Sequence, residues 1–172
     1  MDKFIFYKDN VLSDNECDDI IKISNKSLTS LKNHHYREYE YCDIENTDLS
    51  LMKKIVLLSN NIIKDYIKKY PELNLTGDQF ALTSCRFKKF KKDKSFKNWH
   101  SEHCKEFPTR ILNIMYYLSD HNCGTEFYNG SVIKSVKGRS IIFPSYFTHT
   151  HRGQVCPDKK TRYILTGYFN FI

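Results

Sequence analysis

From Asp78 to the C-terminus the chain breaks into eight short segments rich in β-branched and aromatic residues, with no long helical pattern between them. They are Phe80 to Phe90, Asn98 to Glu102, Ile111 to Leu118, Thr125 to Tyr128, Ser131 to Ile133, Arg139 to Phe143, His149 to Arg152 and Arg162 to Phe171. Asn129-Gly130, Lys137-Gly138 and Pro157-Asp158 punctuate them as turns. Strands in such number, without crossover helices, argue for a closed or double-sheet antiparallel structure of the jelly-roll kind.

The first 77 residues read differently. Phe4-Ile5-Phe6-Tyr7 forms a short strand, and Ser13-Asp14-Asn15-Glu16 is a capping box opening a helix that places Cys17, Ile20, Ile21 and Ser24 on one face. Between Asp48 and Tyr70, Leu49, Met52, Ile55, Val56, Ile62, Ile63, Tyr66 and Ile67 recur at helical spacing, and Pro71 stops the run. Lys32 to Asn46 has no clear period and reads as extended chain or loop, with His34 and His35 as surface histidines. The expectation is one domain over 1–172: a helical part, 1–77, packing on the outside of the sheet, and a jelly-roll core, 78–172.

A length of 172 residues suits a single core. Twelve Phe and twelve Tyr among 40% hydrophobic residues exclude a disordered chain. No apolar run approaches the roughly 18 residues that span a bilayer, and MDKFIFYKDN lacks a signal peptide's apolar stretch. The expectation is a soluble cytoplasmic protein with no membrane partner. Cys17, Cys42, Cys85, Cys104, Cys123 and Cys156 form no CxxC pair, which argues against a zinc ribbon or dithiol redox motif and predicts reduced, mostly buried thiols.

Net charge is +7, and Arg86 to Lys97 carries seven basic residues against Asp93 alone. Such a stripe fits nucleic acid or an acidic partner, or the solvated face of a strand and turn. Because it runs into Trp99 and His100, its lysines are expected to line the approach to whatever those residues bind.

The chemistry concentrates in Trp99-His100-Ser101-Glu102. In a strand, residues two apart share a face, so His100 and Glu102 can meet one ion. A third ligand is available from His149 or His151, which also share a face. Two His and one carboxylate, with open positions remaining, is the facial triad of non-haem Fe(II) oxygenases. Downstream, Arg162, Ile164, Thr166 and Tyr168 share one face of the last strand, placing a permanent cation and a hydroxyl on the same wall; Arg suits a bidentate grip on a carboxylate. Asn113, Met115 and Tyr117 share a face of Ile111 to Leu118 and can add polar contacts. Trp99, Tyr116 and Tyr168 are candidates for shaping the mouth or packing the core. His103 and His121 read as an outward-facing and a turn residue, outside the ligand set.

Over Leu82 to Phe171 this sequence resembles the Fe(II)- and 2-oxoglutarate-dependent dioxygenases, in their prolyl-4-hydroxylase-like branch. WHSE, RILNIMYYLSD, CGTEF, KGRSIIFPS, HRG and TRYILTGYF match that family's motifs in order, and DNVLSDNECDDII looks like its N-terminal strand and capped helix. The resemblance implies a mainly β fold with flanking helices around a double-stranded β-helix. It also implies His100, Glu102 and His151 as metal ligands, His151 being favoured over His149 because it precedes Arg-Gly. Arg162, Tyr117 and Thr166 are implied to bind 2-oxoglutarate, with Asn113 joining them as a polar contact from its strand face. Fe(II), 2-oxoglutarate and O₂ are the implied cofactor and cosubstrates, with ascorbate as an optional addition. Two departures stand out. Glu102 replaces the commoner Asp, and Phe87 or Phe90 occupies the place of a tyrosine before the HxD/E element.

The implied reaction is hydroxylation of an aliphatic C–H in a protein or peptide residue, proline being the default, with succinate and CO₂ released. A nucleic-acid-modifying oxygenase is the first alternative and is disfavoured, because that branch carries a second arginine six residues after the first and position 168 here is Tyr. A cupin-type metal-binding module is the second, and a buried arginine behind the metal argues against it.

Overall fold

The computed structural model describes residues 3–30 and 38–172; His34 and His35 lie outside them. Ten strands and three helices are described: β1 (Phe6–Lys8), α1 (Asp14–Ser24), β2 (Thr29–Ser30), β3 (Glu40–Asp43), α2 (Ile44–Thr47), α3 (Leu49–Lys69), β4 (Phe80–Phe90), β5 (Arg110–Tyr117), β6 (Gly124–Phe127), β7 (Val132–Lys134), β8 (Ser140–Pro144), β9 (His151–Gly153) and β10 (Arg162–Phe171). A seven-stranded sheet runs β1-β8-β5-β10-β4-β3-β2 and a three-stranded sheet β7-β6-β9, with antiparallel pairing throughout. The fold is mainly β with a few flanking helices, the double-sheet arrangement expected from the density of short strands.

Local chemistry sets the ends of the helices. Ser13 accepts from the Glu16 backbone N–H and Glu16 reaches back to Ser13, so both partners of the box are present. Asp48 caps α3 by accepting from Leu51 N, and Lys68 and Lys69 close its last turn, where a positive charge meets the helix dipole favourably. Cys17, Ile20 and Ser24 are buried on α1, and Ile55, Ile62, Ile63 and Tyr66 on α3. Leu49, expected on the buried stripe, is instead exposed, because it opens the first turn before α3 meets the sheet.

The large sheet is coated on both faces. Its outer face supplies Cys85, Phe87, Ile114, Tyr116 and Leu165 to a core shared with α1 and α3, and its inner face supplies Phe90, Met115, Tyr117, Ile141, Phe143 and Ile164 to a second core shared with Phe127 and Ile133 of the small sheet. Neighbours along β5 and β10 therefore go to opposite cores, as the pleat requires. Tyr116 and Ser59 on α3 join hydroxyls at 2.6 Å inside the outer core, so Tyr116 packs against the helices rather than at any mouth.

Two expectations are corrected and one is made definite. Asn98 to Glu102 is not a strand: only His100 forms a bridge, with His151, while the Glu102 and His103 N–H groups both donate to Ser145 O. Lys32 to Asn46, read as extended chain or loop, includes extended chain at Glu40–Asp43, which pairs with Arg86 to Lys89 of β4; that polar stretch is a strand because a partner edge is there to satisfy it. The thiols are not all free: Cys123 and Cys156 are joined in a disulfide across the loops beside β6 and β9, leaving Cys17, Cys42 and Cys85 buried and Cys104 exposed. No helix among the described residues is long and apolar enough to cross a membrane.

Candidate active site

Two histidines and one glutamate converge between the sheets. Ligand atoms of His100, Glu102 and His151 all lie within 4.8 Å of one another. His100 and His151 exchange backbone hydrogen bonds of 3.0 and 2.9 Å, which sets their rings 4.3 Å apart. Each ring has Nδ1 against a carbonyl, Asn98 O at 3.0 Å and His149 O at 3.1 Å. A carbonyl can only accept, so Nδ1 carries a proton on both rings, and Nε2 is the ring atom turned toward the cluster that can serve as a metal ligand. His100 Nε2 lies 3.6 Å from Glu102 Oε1.

Electrostatics keep these groups in ligand form. Burial and the neighbouring His100 push His151 down to about 3, so it is a neutral imidazole at ordinary pH. Burial acts to raise Glu102, but the His100 side chain, Lys88 and His151 outweigh it and hold the carboxyl well below its usual range. Its second oxygen accepts from Arg110 Nη1 at 3.2 Å, and Arg110 is itself clamped between the rings of Phe107 and Tyr168 at 3.6 and 3.7 Å. His149 sits in the short turn Phe147–His149 with its ring against Lys3 O, away from this cluster.

On one side of the triad lies a narrow cavity. It is lined by Lys88, Phe90, Phe96, Met115, Tyr117, Thr125, Arg162, Ile164 and Thr166 together with the triad. The register explains the grouping: Arg162, Ile164 and Thr166 on β10 stand opposite Phe90, Lys88 and Arg86 on β4, so all six share the inner face. Arg162 is 4% exposed, and its Nε and the Thr166 hydroxyl are buried without a hydrogen-bond partner among the described residues. Nη1 of Arg162 donates to Cys123 Sγ at 3.4 Å, and the guanidinium lies 4.6 Å over Phe90. Burial draws Arg162 down to about 10, so it remains a cation at neutral pH.

Tyr117 lines the cavity with its hydroxyl turned to Thr125 Oγ1 at 2.7 Å and Ile133 O at 3.2 Å. Asn113 shares the inward face of β5 but is not among the residues that line the cavity: its Oδ1 accepts from Ser145 Oγ at 2.8 Å, behind the carbonyl that anchors Glu102. Phe90, not Phe87, takes the inward place on β4; Phe87 belongs to the helix-side core.

On the other side opens a cleft of about 430 Å³, walled by Tyr39, Phe96, Phe107 and Tyr168 and by Arg86, Lys88 and Arg110. The basic stripe meets it only through Arg86 and Lys88. Lys91 pairs with Glu40, and Lys94 and Lys97 with Glu38, so the lysines expected at the approach are largely neutralised. Lys88 and Arg110 escaped the sequence reading. For Lys88 the signal was the period-two alternation that puts it on the same face as Phe90. Trp99 lies outside the cleft, edge-on to Tyr128 and under Arg152. His121, Cys156 and Asp158 form a second cluster of ligand-type atoms, but His121 is hydrogen-bonded through both nitrogens and Cys156 is bonded to Cys123.

Two imidazoles and one carboxylate, converging between the sheets of a double-stranded β-helix, are the ligand set that mononuclear non-haem Fe(II) oxygenases use. Residues 85–170 match the model of the 2OG-Fe(II) oxygenase superfamily, and the chain belongs to that family: it is a dioxygenase that uses Fe(II), 2-oxoglutarate and O₂. No curated protein matches it by sequence.

Among solved structures it is similar to a viral collagen prolyl hydroxylase from Paramecium bursaria Chlorella virus-1 in complex with 2-oxoglutarate (20% identity, TM-score 0.66, covering 99% of this chain and 97% of that one). It also resembles a Pseudomonas putida prolyl-4-hydroxylase (14%, TM-score 0.72, 97% and 92%). A third is a Trichoplax adhaerens prolyl hydroxylase in complex with a hypoxia inducible factor peptide fragment (11%, TM-score 0.69, 96% and 83%). At these identities the likeness is one of fold, and the fold is that of the prolyl hydroxylases.

Proposed function

We propose that this protein hydroxylates an aliphatic C–H of a residue in a protein or peptide, a prolyl residue first among the candidates, releasing succinate and CO₂. In this reading His100, Glu102 and His151 hold Fe(II), and Arg162 with Thr166 receives the far carboxylate of 2-oxoglutarate. Tyr117 completes the cavity wall. Asn113 acts behind the site, steadying Ser145 and through it the Glu102 backbone.

The observation that carries the reading is the pair of unpartnered buried groups, Arg162 Nε and Thr166 Oγ1, in a cavity that begins at the triad. Buried polar groups are nearly always satisfied, and an unpaired one costs on the order of 1–3 kcal/mol. A dicarboxylate satisfies both. The free space is about 30 Å³, roughly one water, so a five-carbon diacid enters with an outward shift of the lining side chains. When bound, the iron and its cosubstrate supply the oxidising chemistry. The protein's part is to keep His151 neutral and Glu102 ionised for the metal, to hold Glu102 through Arg110, and to exclude water with Phe90, Phe96 and Met115.

A protein or peptide substrate is supported by the aromatic cleft on the open side of the triad. A nucleic-acid substrate is disfavoured by the pairing of the basic stripe with Glu38 and Glu40, and by Tyr168 at the place of a second arginine. The test is succinate release from Fe(II), 2-oxoglutarate and a peptide library, beside His151→Ala and Arg162→Ala. Equal turnover by all three proteins refutes the site; turnover on methylated oligonucleotides alone refutes the substrate class.

A further inference from the structure

Resting on that reading of the site, we propose that Lys88, Tyr39 and Tyr168 form a subsite for a carboxylate. The peptide substrate then carries an Asp or Glu adjacent to the residue that is oxidised.

Lys88 is 7% exposed and lines both the narrow cavity with the triad and the larger cleft. Its ammonium makes no hydrogen bond or ion pair with any described residue; it lies 5.5 Å from the centre of the Tyr39 ring. Tyr168, Tyr39 and Glu102 favour its charged form from a distance. None of them takes its hydrogen-bond donors, which stand open where the cavity meets the cleft, and a ligand can take them there.

Other cations facing the cleft already have partners: Arg86 binds Asp43 through two nitrogens, at 2.6 and 2.9 Å, and Arg110 binds Glu102. Tyr39 and Tyr168 stand on the cleft walls beside Lys88, and their hydroxyls are not sealed from the cleft. An ammonium has only donors and a phenol can donate, so the three together call for an oxygen acceptor.

A single carboxylate fits better than a polyanion, because Asp43, Glu45 and Glu106 line the same cleft and repel a phosphate backbone. The cosubstrate's far carboxylate is provided for by Arg162 and Thr166 deeper in the fold. Lys88 stands where the cavity meets the cleft, within reach of a group carried by the peptide next to the reacting residue.

The experiment uses protein loaded with Mn(II) and 2-oxoglutarate and reads peptide binding by fluorescence anisotropy. Matched peptides place Asp, Asn or Lys on either side of a prolyl residue. Wild type should bind the Asp peptide about tenfold or more tighter than its Asn isostere, the scale of one hydrogen bond to a charged group. Lys88→Met should bring the two together, and Lys88→Glu should reverse the order toward the Lys peptide; circular dichroism and thermal melts check that both variants fold.

Two results overturn the subsite: no Asp preference in wild type, or a folded Lys88→Met protein that keeps the preference, whether or not its affinity for 2-oxoglutarate in calorimetry has changed. Asp-selective binding without succinate release from any peptide would leave the subsite standing and refute the proposed reaction.

Discussion

Replacing Arg162 by Met separates what this residue does for binding from what it does for folding, and the two effects should have different sizes. In the fold, Arg162 loses hydration and leaves Nε unpaired, while gaining a sulfur acceptor at 3.4 Å and a ring face at 4.6 Å. An unsatisfied buried group costs about 1–3 kcal/mol, and a cation on a ring returns about 0.5–2 kcal/mol. The substitution should therefore leave the stability of the chelator-treated protein within about 1 kcal/mol of wild type by urea denaturation. For a dicarboxylate, the same change removes two charge-assisted hydrogen bonds of about 1.5–3 kcal/mol each. Titration of Mn(II)-loaded protein with 2-oxoglutarate should show Kd rising at least about 100-fold. A variant that unfolds several kcal/mol more easily yet binds 2-oxoglutarate normally would refute the argument, making Arg162 a structural cation.

Acid should destabilise the metal-free protein in a window set by His151. The unfolded chain takes up that proton near pH 6.5, whereas the folded one refuses it until about pH 3. Stability therefore falls with pH below 6.5, by about 1.36 kcal/mol per unit, and a flat urea midpoint between pH 6.5 and 5 would contradict it; His151→Gln should remove most of the slope. Ser59→Ala and Tyr116→Phe should each cost about 1–3 kcal/mol by leaving the other hydroxyl unpaired, while the double variant costs less than the sum in a denaturation cycle. Gly124→Ala should lower the melting temperature sharply, because its Cβ would collide with the Ile133 carbonyl and force β6 from β7; an unchanged melt refutes that packing.

The legible parts of this molecule were those whose cause is local. The boundaries of β4 and β10 could be read because long alternating strands advertise their own period, and Ser13 with Glu16 is a cap whose two halves lie three residues apart. What failed depends on distant partners. Asn98 to Glu102 alternates like a strand, yet the Glu102 and His103 amides both go to Ser145, more than 40 residues on. Glu40–Asp43 reads only as extended chain or loop until the β4 edge is present to make it a strand. The Cys123–Cys156 pair spans 33 residues without any spacing signal. At the site, the sequence indicated which faces carried His100, His151, Arg162 and Thr166, and face alone could not tell that Asn113 lies behind the cavity wall. Lys88 is hidden in a run of lysines of which Lys89, Lys91, Lys94 and Lys97 pair with Glu38 or Glu40, since a composition argument treats all of them alike.

The two-faced large sheet also limits how the enzyme can be cut or transplanted. The stretch matched by the family model, 85–170, contains the triad, Arg162 and Thr166, but not α1 or α3. Expressed by itself it would present Phe87, Ile114, Tyr116 and Leu165 to water on the face opposite the metal, an apolar surface of the kind that drives aggregation. The smallest portable unit thus includes the helical layer. Grafting this site onto another jelly roll requires matching the back of the sheet as carefully as its front.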